Sequence, residues 1–498
     1  MDASAPQALG LLVACGAPAA AIAAPRCAWR HVALALALIA APVLILGDVW
    51  DDARVVDLRD NPALIAGGAL LLAAAIVAGA AISRRFEDAL SIAAFAVVAL
   101  RVPVDLAGET SNLLVPLYLV IAAGLGGVLW GELRGLPNRA PASRDPEAPA
   151  IVWLRRLLAA TLVMYALQAI YSDDVSNAIE NACFFLVPFA ALFVLLTETR
   201  WTERRLVAVA WVVGGVAIAY ALVAVGEYAT RELLLNSELE DSNQLKPFFR
   251  VNSLFYDPNI FGRYLALVLV VAGAGVAWSR GGWRAALAVA GGLVLLAALV
   301  LSFSLTSFAA LIAGLVVLAA LRWGLRWGFA AVAATVLFAG ALAVVDTGGE
   351  DKGPSRDFDA SGREGLVEGG IDVFEDRPFL GAGSGAFGRA YVDEHPEAKV
   401  KTSHAEPITV AAEQGVVGLA VYAALIAVSL WVLFGSGVGG DPARAAVAAC
   451  MVAMLVHSLG YAGFAIDPAT WALLALGVAL HPSASGRAEA ERPKPAPA

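Results

Sequence analysis

The chain has 498 residues, 60% of them hydrophobic and 15% charged, with a mean hydropathy of +0.74; no soluble fold hides that much apolar surface. Its formal net charge of -9 comes with no basic stripe interleaved with aromatics, which excludes nucleic acid as a partner. The four cysteines, Cys15, Cys27, Cys183 and Cys450, form no CxxC pair and no metal-ligand spacing, so they read as small buried side chains and no metal or cofactor is expected.

Along the chain, residues 8–24 are Ala-rich and apolar like a signal-peptide core. No basic residue precedes them, whereas Arg26, Arg30 and His31 follow, and residues 1–30 are therefore expected to be a cytoplasmic amino-terminal segment. Candidate spans follow at 31–47, 62–82, 88–106, 112–132, 151–171, 181–198, 205–227, 262–278, 283–301, 304–321, 326–346, 414–435, 443–461 and 467–481. A run of about 20 apolar residues crosses the hydrocarbon core as a helix. These runs are rich in Ala and Leu and lack the alternation of a membrane barrel. The expected fold is all-α: a polytopic transmembrane helical bundle of about 12 to 14 spans over residues 31–481.

Loop charge orients it. Arg84 and Arg85, then Arg134, Arg139, Arg144, Arg155 and Arg156, then Arg200, Arg204 and Arg205, then Arg280 and Arg284, then Arg322 and Arg326 fall on one side, the expected cytoplasmic face. Asp48, Asp51, Asp52, Asp57, Glu109, Asp173, Asp174 and Glu180 fall on the other. Both termini are then expected in the cytoplasm, with residues 482–498 a proline-rich disordered tail. Two longer connections face outward, a shorter loop over 228–261 and a large periplasmic or extracellular loop over 347–413; connections of that length are often functional. Phe374, Phe379, Phe387 and Tyr391 predict order in the larger one. No inverted repeat of the transporter kind is visible.

Several polar groups stand out against this background. Gly383 to Gly388 formally fits a dinucleotide fingerprint but lacks its βαβ setting, which leaves a glycine-rich turn that lets backbone approach a helix or a ligand. His404, just ahead of a span, could take a proton from a hydroxyl near neutral pH; the alternative is a structural histidine in solvent. Arg250 and Arg363 are outward-facing cations, which the positive-inside tendency disfavours. A planar guanidinium suits a diphosphate, while a loop salt bridge is the plainer alternative. Asp257-Pro258-Asn259 reads as a helix start. Ser302, Ser304, Thr306 and Ser307, and likewise His457, Ser458 and Tyr461, read as interhelical hydrogen bonds, with cavity lining the alternative for the second group. His395 reads as solvated.

The spacing around His404 resembles that of the O-antigen ligase and polymerase superfamily of bacterial envelope glycosyltransferases. There a histidine and its neighbour are followed by nine residues and Gly-x-x-Gly; here His404 and Ala405 precede Glu406 to Gln414, then Gly415 and Gly418. Arg250 with Pro258, Asn259 and Gly262, the Ser361-Gly362-Arg363 triplet, and Pro378 to Gly383 as a Pro-x-x-Gly-x-Gly element agree as well, so the likeness covers roughly residues 200–480. Two departures are Ala405, where an amide or hydroxyl is usual, and the absence of an arginine from Ser302 to Phe308.

The resemblance implies a GT-C-like enzyme of the bacterial inner membrane, without cofactor or metal. It would carry out an inverting transfer of a glycan from a polyprenyl-diphosphate carrier to a glycan, lipid or protein acceptor hydroxyl at the outer face. It further implies His404 as general base, Arg250 and Arg363 as diphosphate ligands, and Asn259, Gly383, Glu413, Gly415 and Gly418 around the substrate. A transporter or flippase of lipid-linked oligosaccharide is the competing class. It predicts charged or broken helices at mid-bilayer, where Arg101 is the clearest ionisable residue.

Overall fold

A computed structural model describes residues 3–25, 27, 29–50, 55–56, 60–86, 88–106, 109–135, 147–244, 248–333, 355–394 and 403–483. Among the described residues, eleven helices are long and apolar enough to cross a membrane, and two shorter apolar helices follow near the end of the chain. The protein is a multi-pass membrane helical bundle, as its hydropathy predicts.

The amino-terminal group is built around α1 (Ala5–Ala23), which packs along α2 (Arg30–Asp48) and α6 (Pro149–Ala169). In the same group α3 (Pro62–Arg85) lies on α5 (Val115–Leu133). Within residues 1–30, expected as one cytoplasmic segment, α1 is long and apolar enough to be a further crossing. α1 carries no charged residue, so nothing opposes its insertion, and the basic flank at Arg26 to His31 marks its far end. The Ala3 N–H donates to the Ile170 carbonyl at 2.8 Å, and Gln7 reaches the Asp48 carboxylate at 2.9 Å. The amino terminus therefore sits at the same end of the bundle as Asp48 and Asp173.

The span expected at 88–106 is different again. Its helix, α4 (Ala89–Val97), is 9 residues long, and the chain then forms an antiparallel hairpin of β1 (Val102–Leu106) and β2 (Glu109–Leu113), with Val102 opposite Leu113. Pro103 disfavours helix at its own position and at Val102, and the β-branched neighbours accept the extended conformation. These strands are the one departure from the all-α expectation.

α7 (Val175–Asn181) continues through one π-turn into α8 (Val187–Thr197) as a single deeply buried crossing. The second group consists of α9 (Glu203–Thr230), α11 (Pro258–Ala277), α12 (Trp283–Leu301) and α13 (Leu305–Trp323), with α10 (Ser237–Gln244) in the shorter outer loop. Its core gathers Tyr220, Phe255 and Phe261, and α17 (Pro442–Ser458) closes it against α13. α18 (Pro468–Ala479) instead packs on α8, with Trp471 edge-on to Phe193.

In the described part of the 347–413 loop, α14 (Ser355–Asp376) and α15 (Phe387–Glu394) share a small core of Val373, Ala386, Phe387, Tyr391 and Ala412, whereas Phe379 is exposed. α16 (Glu406–Leu433) begins inside the expected loop. The helix expected at 326–346 is described as far as residue 333. Its remainder, residues 347–354 and 395–402 of the loop with His395, and residues 484–498 of the expected tail lie outside the described residues.

Candidate functional site

His404 is held in the left-handed region, φ +60°, directly before α16. A residue with a β-carbon pays strain there, which persists only where the surroundings impose it. They do: the buried Ser403 hydroxyl accepts from the Ala405 N–H at 3.2 Å, spanning His404, and lies 2.8 Å from the Thr409 hydroxyl. The next carboxylate along, Glu406, is buried and accepts from the backbone N–H groups of Gly463 at 2.5 Å and Phe464 at 3.1 Å. One charged group thereby fastens the His404 turn to the turn that leaves α17.

That second turn carries Tyr461, whose ring centroid lies 5.8 Å from that of His404 and 5.8 Å from that of His457. The Tyr461 hydroxyl donates to Asp257 Oδ2 at 2.9 Å. Asp257 is the N-cap of α11: its Oδ1 accepts from the Asn259 N–H at 2.6 Å and Pro258 occupies the first turn, as the Asp-Pro-Asn sequence predicts. The buried Asn259 side-chain oxygen accepts from the Ser304 hydroxyl at 2.9 Å and from Arg250 Nη2 at 3.4 Å. Arg250 Nε donates to the Ser302 carbonyl at 3.1 Å.

The arginine's backbone is fixed from α10, where Asn243 accepts from its N–H at 3.0 Å and donates to its carbonyl at 2.9 Å. Beyond it, the Glu227 carboxylate accepts from Asn252 and Ser253 N–H at 3.3 and 2.8 Å. Two elements far apart in sequence, the 250–259 segment and the 404–406 turn, thus meet through Asp257 and Tyr461. In the serine and threonine cluster, the Ser304 bond to Asn259 of α11 and the 3.4 Å approach of Thr306 to His457 Nε2 of α17 are interhelical as expected, whereas Ser304 to Ser307, at 2.8 Å, is local to the start of α13.

One helical turn beyond Asn259, Arg263 forms a buried ion pair with Asp467, the N-cap of α18, and its guanidinium lies 5.9 Å from the Tyr461 ring centroid. Arg101 comes within electrostatic range of Asp467, Arg263 and Tyr461. Around Tyr461 the site thus gathers two guanidiniums, Arg101 and Arg263, with two carboxylates, Asp257 and Asp467.

The remaining predicted residues gather elsewhere, about two helical turns along α16. Gly383 N–H donates to the Glu413 carbonyl at 2.9 Å, while the Glu413 carboxylate accepts from Gly385 N–H at 2.9 Å and Phe387 N–H at 3.2 Å, at the start of α15. Gly415 breaks the helical geometry of α16 at φ +63°, ψ -165°, and the following Val416 N–H donates to the Pro378 carbonyl at 2.8 Å. Gly418 faces the Gln414 side chain, and Gln168 of α6 donates to the Gln414 carbonyl at 3.2 Å. Pro378 to Gly385 and the α16 kink form a backbone clamp. Of the predicted residues, the described structure joins His404, Arg250 and Asn259 in one network and assembles Gly383, Glu413, Gly415 and Gly418 in the clamp. Arg363 lies on α14, where its side chain is outside the described residues.

Sequence reasoning missed Glu406, Arg263 and Asp467, and took Asp257 for a cap alone. Arg263 carried a usable cue, a cation inside an apolar span. Asp467 and Asp257 share another, an aspartate before proline at a helix start, although the cue names the cap and not the second partner of each carboxylate.

Fold and site together define a multi-pass membrane protein with its polar machinery gathered at one end of the bundle. Residues 290–423 match the family described as O-antigen ligase, a stretch that takes in α13, the large outer loop, His404 and the clamp. The match spans 134 of the 498 residues, and it makes this stretch of the membrane protein similar to the O-antigen ligase family. No curated protein matches the chain. Arg250, Asp257, Arg263 and Tyr461 fall outside the matched stretch.

Proposed function

We propose that the protein transfers a glycan from a polyprenyl-diphosphate carrier to an acceptor hydroxyl at the outer face of a bacterial inner membrane. In this reading His404 accepts the acceptor's proton as its oxygen attacks the anomeric carbon. The bond from that carbon to the diphosphate oxygen breaks, and the leaving diphosphate keeps the electron pair. Arg250 and Arg363 balance its charge, so the step calls on no divalent ion. In-line attack opposite the leaving group inverts the anomeric centre. The proton on the imidazole then passes to water.

The observation that carries this reading is the hydrogen-bonded path from Arg250 through Asn259 and Asp257 to Tyr461, against whose ring the His404 imidazole rests. It joins a phosphate-type cation to a proton acceptor at one end of the bundle.

The test is made in cells. The gene is deleted and restored as wild type or as His404→Ala at equal membrane level, and surface glycans are profiled with their lipid-linked precursors. Loss of a surface polymer with build-up of its precursor, in both the deletion and the variant, is the expected result. Turnover should fall by about two to four orders of magnitude. Normal glycans in the variant alongside loss in the deletion would remove His404 from the chemistry. The identity of the lost polymer distinguishes a ligase from a polymerase.

A further inference from the structure

Tyr461 stands where the two halves of the site meet, and nothing in the reaction as written uses it. Its ring centroid lies 5.8 Å from those of two imidazoles, His404 and His457, with the rings tilted by 49° and 59°, and the Arg263 guanidinium lies 5.9 Å from its centre. Its hydroxyl is fixed on Asp257 at 2.9 Å, and Asp257 in turn is fixed by the Asn259 N–H at 2.6 Å. The turn that carries it is fastened at Gly463 and Phe464 by the carboxylate of Glu406, two residues after His404. The side-chain hydrogen bond of Tyr461 leads to the arginine site and the Glu406 anchor of its turn leads to the base, while its backbone N–H donates to the His457 carbonyl at 3.0 Å.

We propose that Tyr461 is a positioning residue for His404, its ring forming the wall that sets the imidazole plane and its bond to Asp257 setting that wall relative to the diphosphate site. This inference rests on the reading of His404 as general base. A tyrosine suits the role because its rigid ring, tilted 49° to the imidazole, presents a fixed wall at one side of it while its one polar atom fixes the ring in place. A leucine would fill part of the space and fix neither. A phenylalanine would keep the surface and lose the tether. Because a misplacement of about 1 Å can cost a reaction about a hundredfold, the tether is expected to act on turnover and not on donor binding.

The experiment is a double-mutant cycle on the purified full-length enzyme in lipid nanodiscs, measured in single turnover with a synthetic polyprenyl-diphosphate glycan and its acceptor. The variants are Tyr461→Phe, Tyr461→Leu, His404→Ala and the pair Tyr461→Phe/His404→Ala. Tyr461→Phe should lower the rate constant about tenfold with donor KM within about twofold of wild type, and Tyr461→Leu should lower it further, both at unchanged thermal stability. In the His404→Ala background, Tyr461→Phe should have no further effect, since a residue that acts through the base loses its effect when the base is gone. Independent, multiplying effects overturn the proposal, and so does a Tyr461→Phe enzyme with wild-type rate. If Tyr461→Leu fails to fold, the phenylalanine cycle alone decides. A His404→Ala enzyme with undiminished rate would instead bring down the underlying assignment of the base, a result separable from the others.

Discussion

Gly381 and Gly415 face one another across two crossing backbones. A β-carbon on Gly381 would lie 2.3 Å from the carbonyl of Glu413, and one on Gly415 would lie 2.4 Å from the carbonyl of Phe379. Both residues have positive φ, +69° and +63°. Since each listens to main-chain atoms and not to a movable side chain, neither collision can be relieved by a rotamer change. Gly415→Ala and Gly381→Ala are each expected to destabilise the protein by about 3 kcal/mol or more, visible as a lowered melting temperature in detergent. Wild-type melting in either variant would mean that the clamp is looser than its geometry.

Glu413 is the clamp's polar centre. With both carboxylate oxygens engaged by backbone N–H groups of Gly385 and Phe387, its role here is to hold the Pro378 to Gly385 turn on α16. Glu413→Gln turns one acceptor into a donor facing an N–H, and should cost about 1 to 3 kcal/mol of stability while donor KM stays within about twofold of wild type. A raised donor KM at unchanged melting temperature would return Glu413 to the substrate-binding set.

Much of this architecture was legible in the sequence, for physical reasons that also mark where legibility stops. A membrane crossing announces itself through about 20 apolar residues, which is why α2, α3, α9, α12 and α13 fall where hydropathy puts them. The same rule left residues 8–24 in an amino-terminal segment, although α1 there is long and apolar enough to cross. It overran at 88–106, where apolar composition continues through Pro103 although helix does not. The family resemblance picked out His404 and Gly415 together because both lie in one short stretch, the turn before α16 and its first part. It could not pair Asp257 with Tyr461 or Arg263 with Asp467, which are some two hundred residues apart and meet only through packing.

The added crossing has its own test. With Ala3 bonded to Ile170, residue 4 lies at the end of the bundle that also holds Asp173, the outer end by loop charge. A Ser4→Cys protein should react with a membrane-impermeant maleimide in intact spheroplasts, as a Ser176→Cys control should, while Ser279→Cys in an inner loop should react only after permeabilisation. Labelling at residue 4 that requires permeabilisation would return the amino terminus to the cytoplasm.

The Arg263 and Asp467 pair is buried on both sides, with side chains 5% and 10% exposed. Asp467→Asn retains the cap on Ala469, which now accepts from that N–H at 2.8 Å, and so isolates the loss of charge. It leaves a buried guanidinium unbalanced and should cost about 3 to 5 kcal/mol. Adding Arg263→Met removes the stranded charge and should recover most of that stability. Recovery of activity along with stability would make the pair a scaffold for Tyr461, whereas recovered stability with activity still lost would give Arg263 a direct part in holding the anionic substrate.

Arg250 separates two uses of one guanidinium. Its Nε and Nη2 donate to the Ser302 carbonyl and to Asn259, which orient the plane, and a planar cation so oriented can offer a diphosphate two parallel hydrogen bonds. Arg250→Lys keeps the charge and loses the plane: one ammonium cannot satisfy both protein acceptors and grip a phosphate in two places. With a charge-assisted hydrogen bond worth about 1.5 to 3 kcal/mol, kcat/KM for a polyprenyl-diphosphate donor should fall about ten- to a hundredfold. Asn259→Leu leaves Arg250 charged and planar but untethered on one side, and should act in the same direction and more weakly. If Arg250→Lys instead keeps full kcat/KM while its melting temperature drops, Arg250 is a strut between α12 and α11, and the cations that meet the diphosphate must be sought at Arg263 and Arg101.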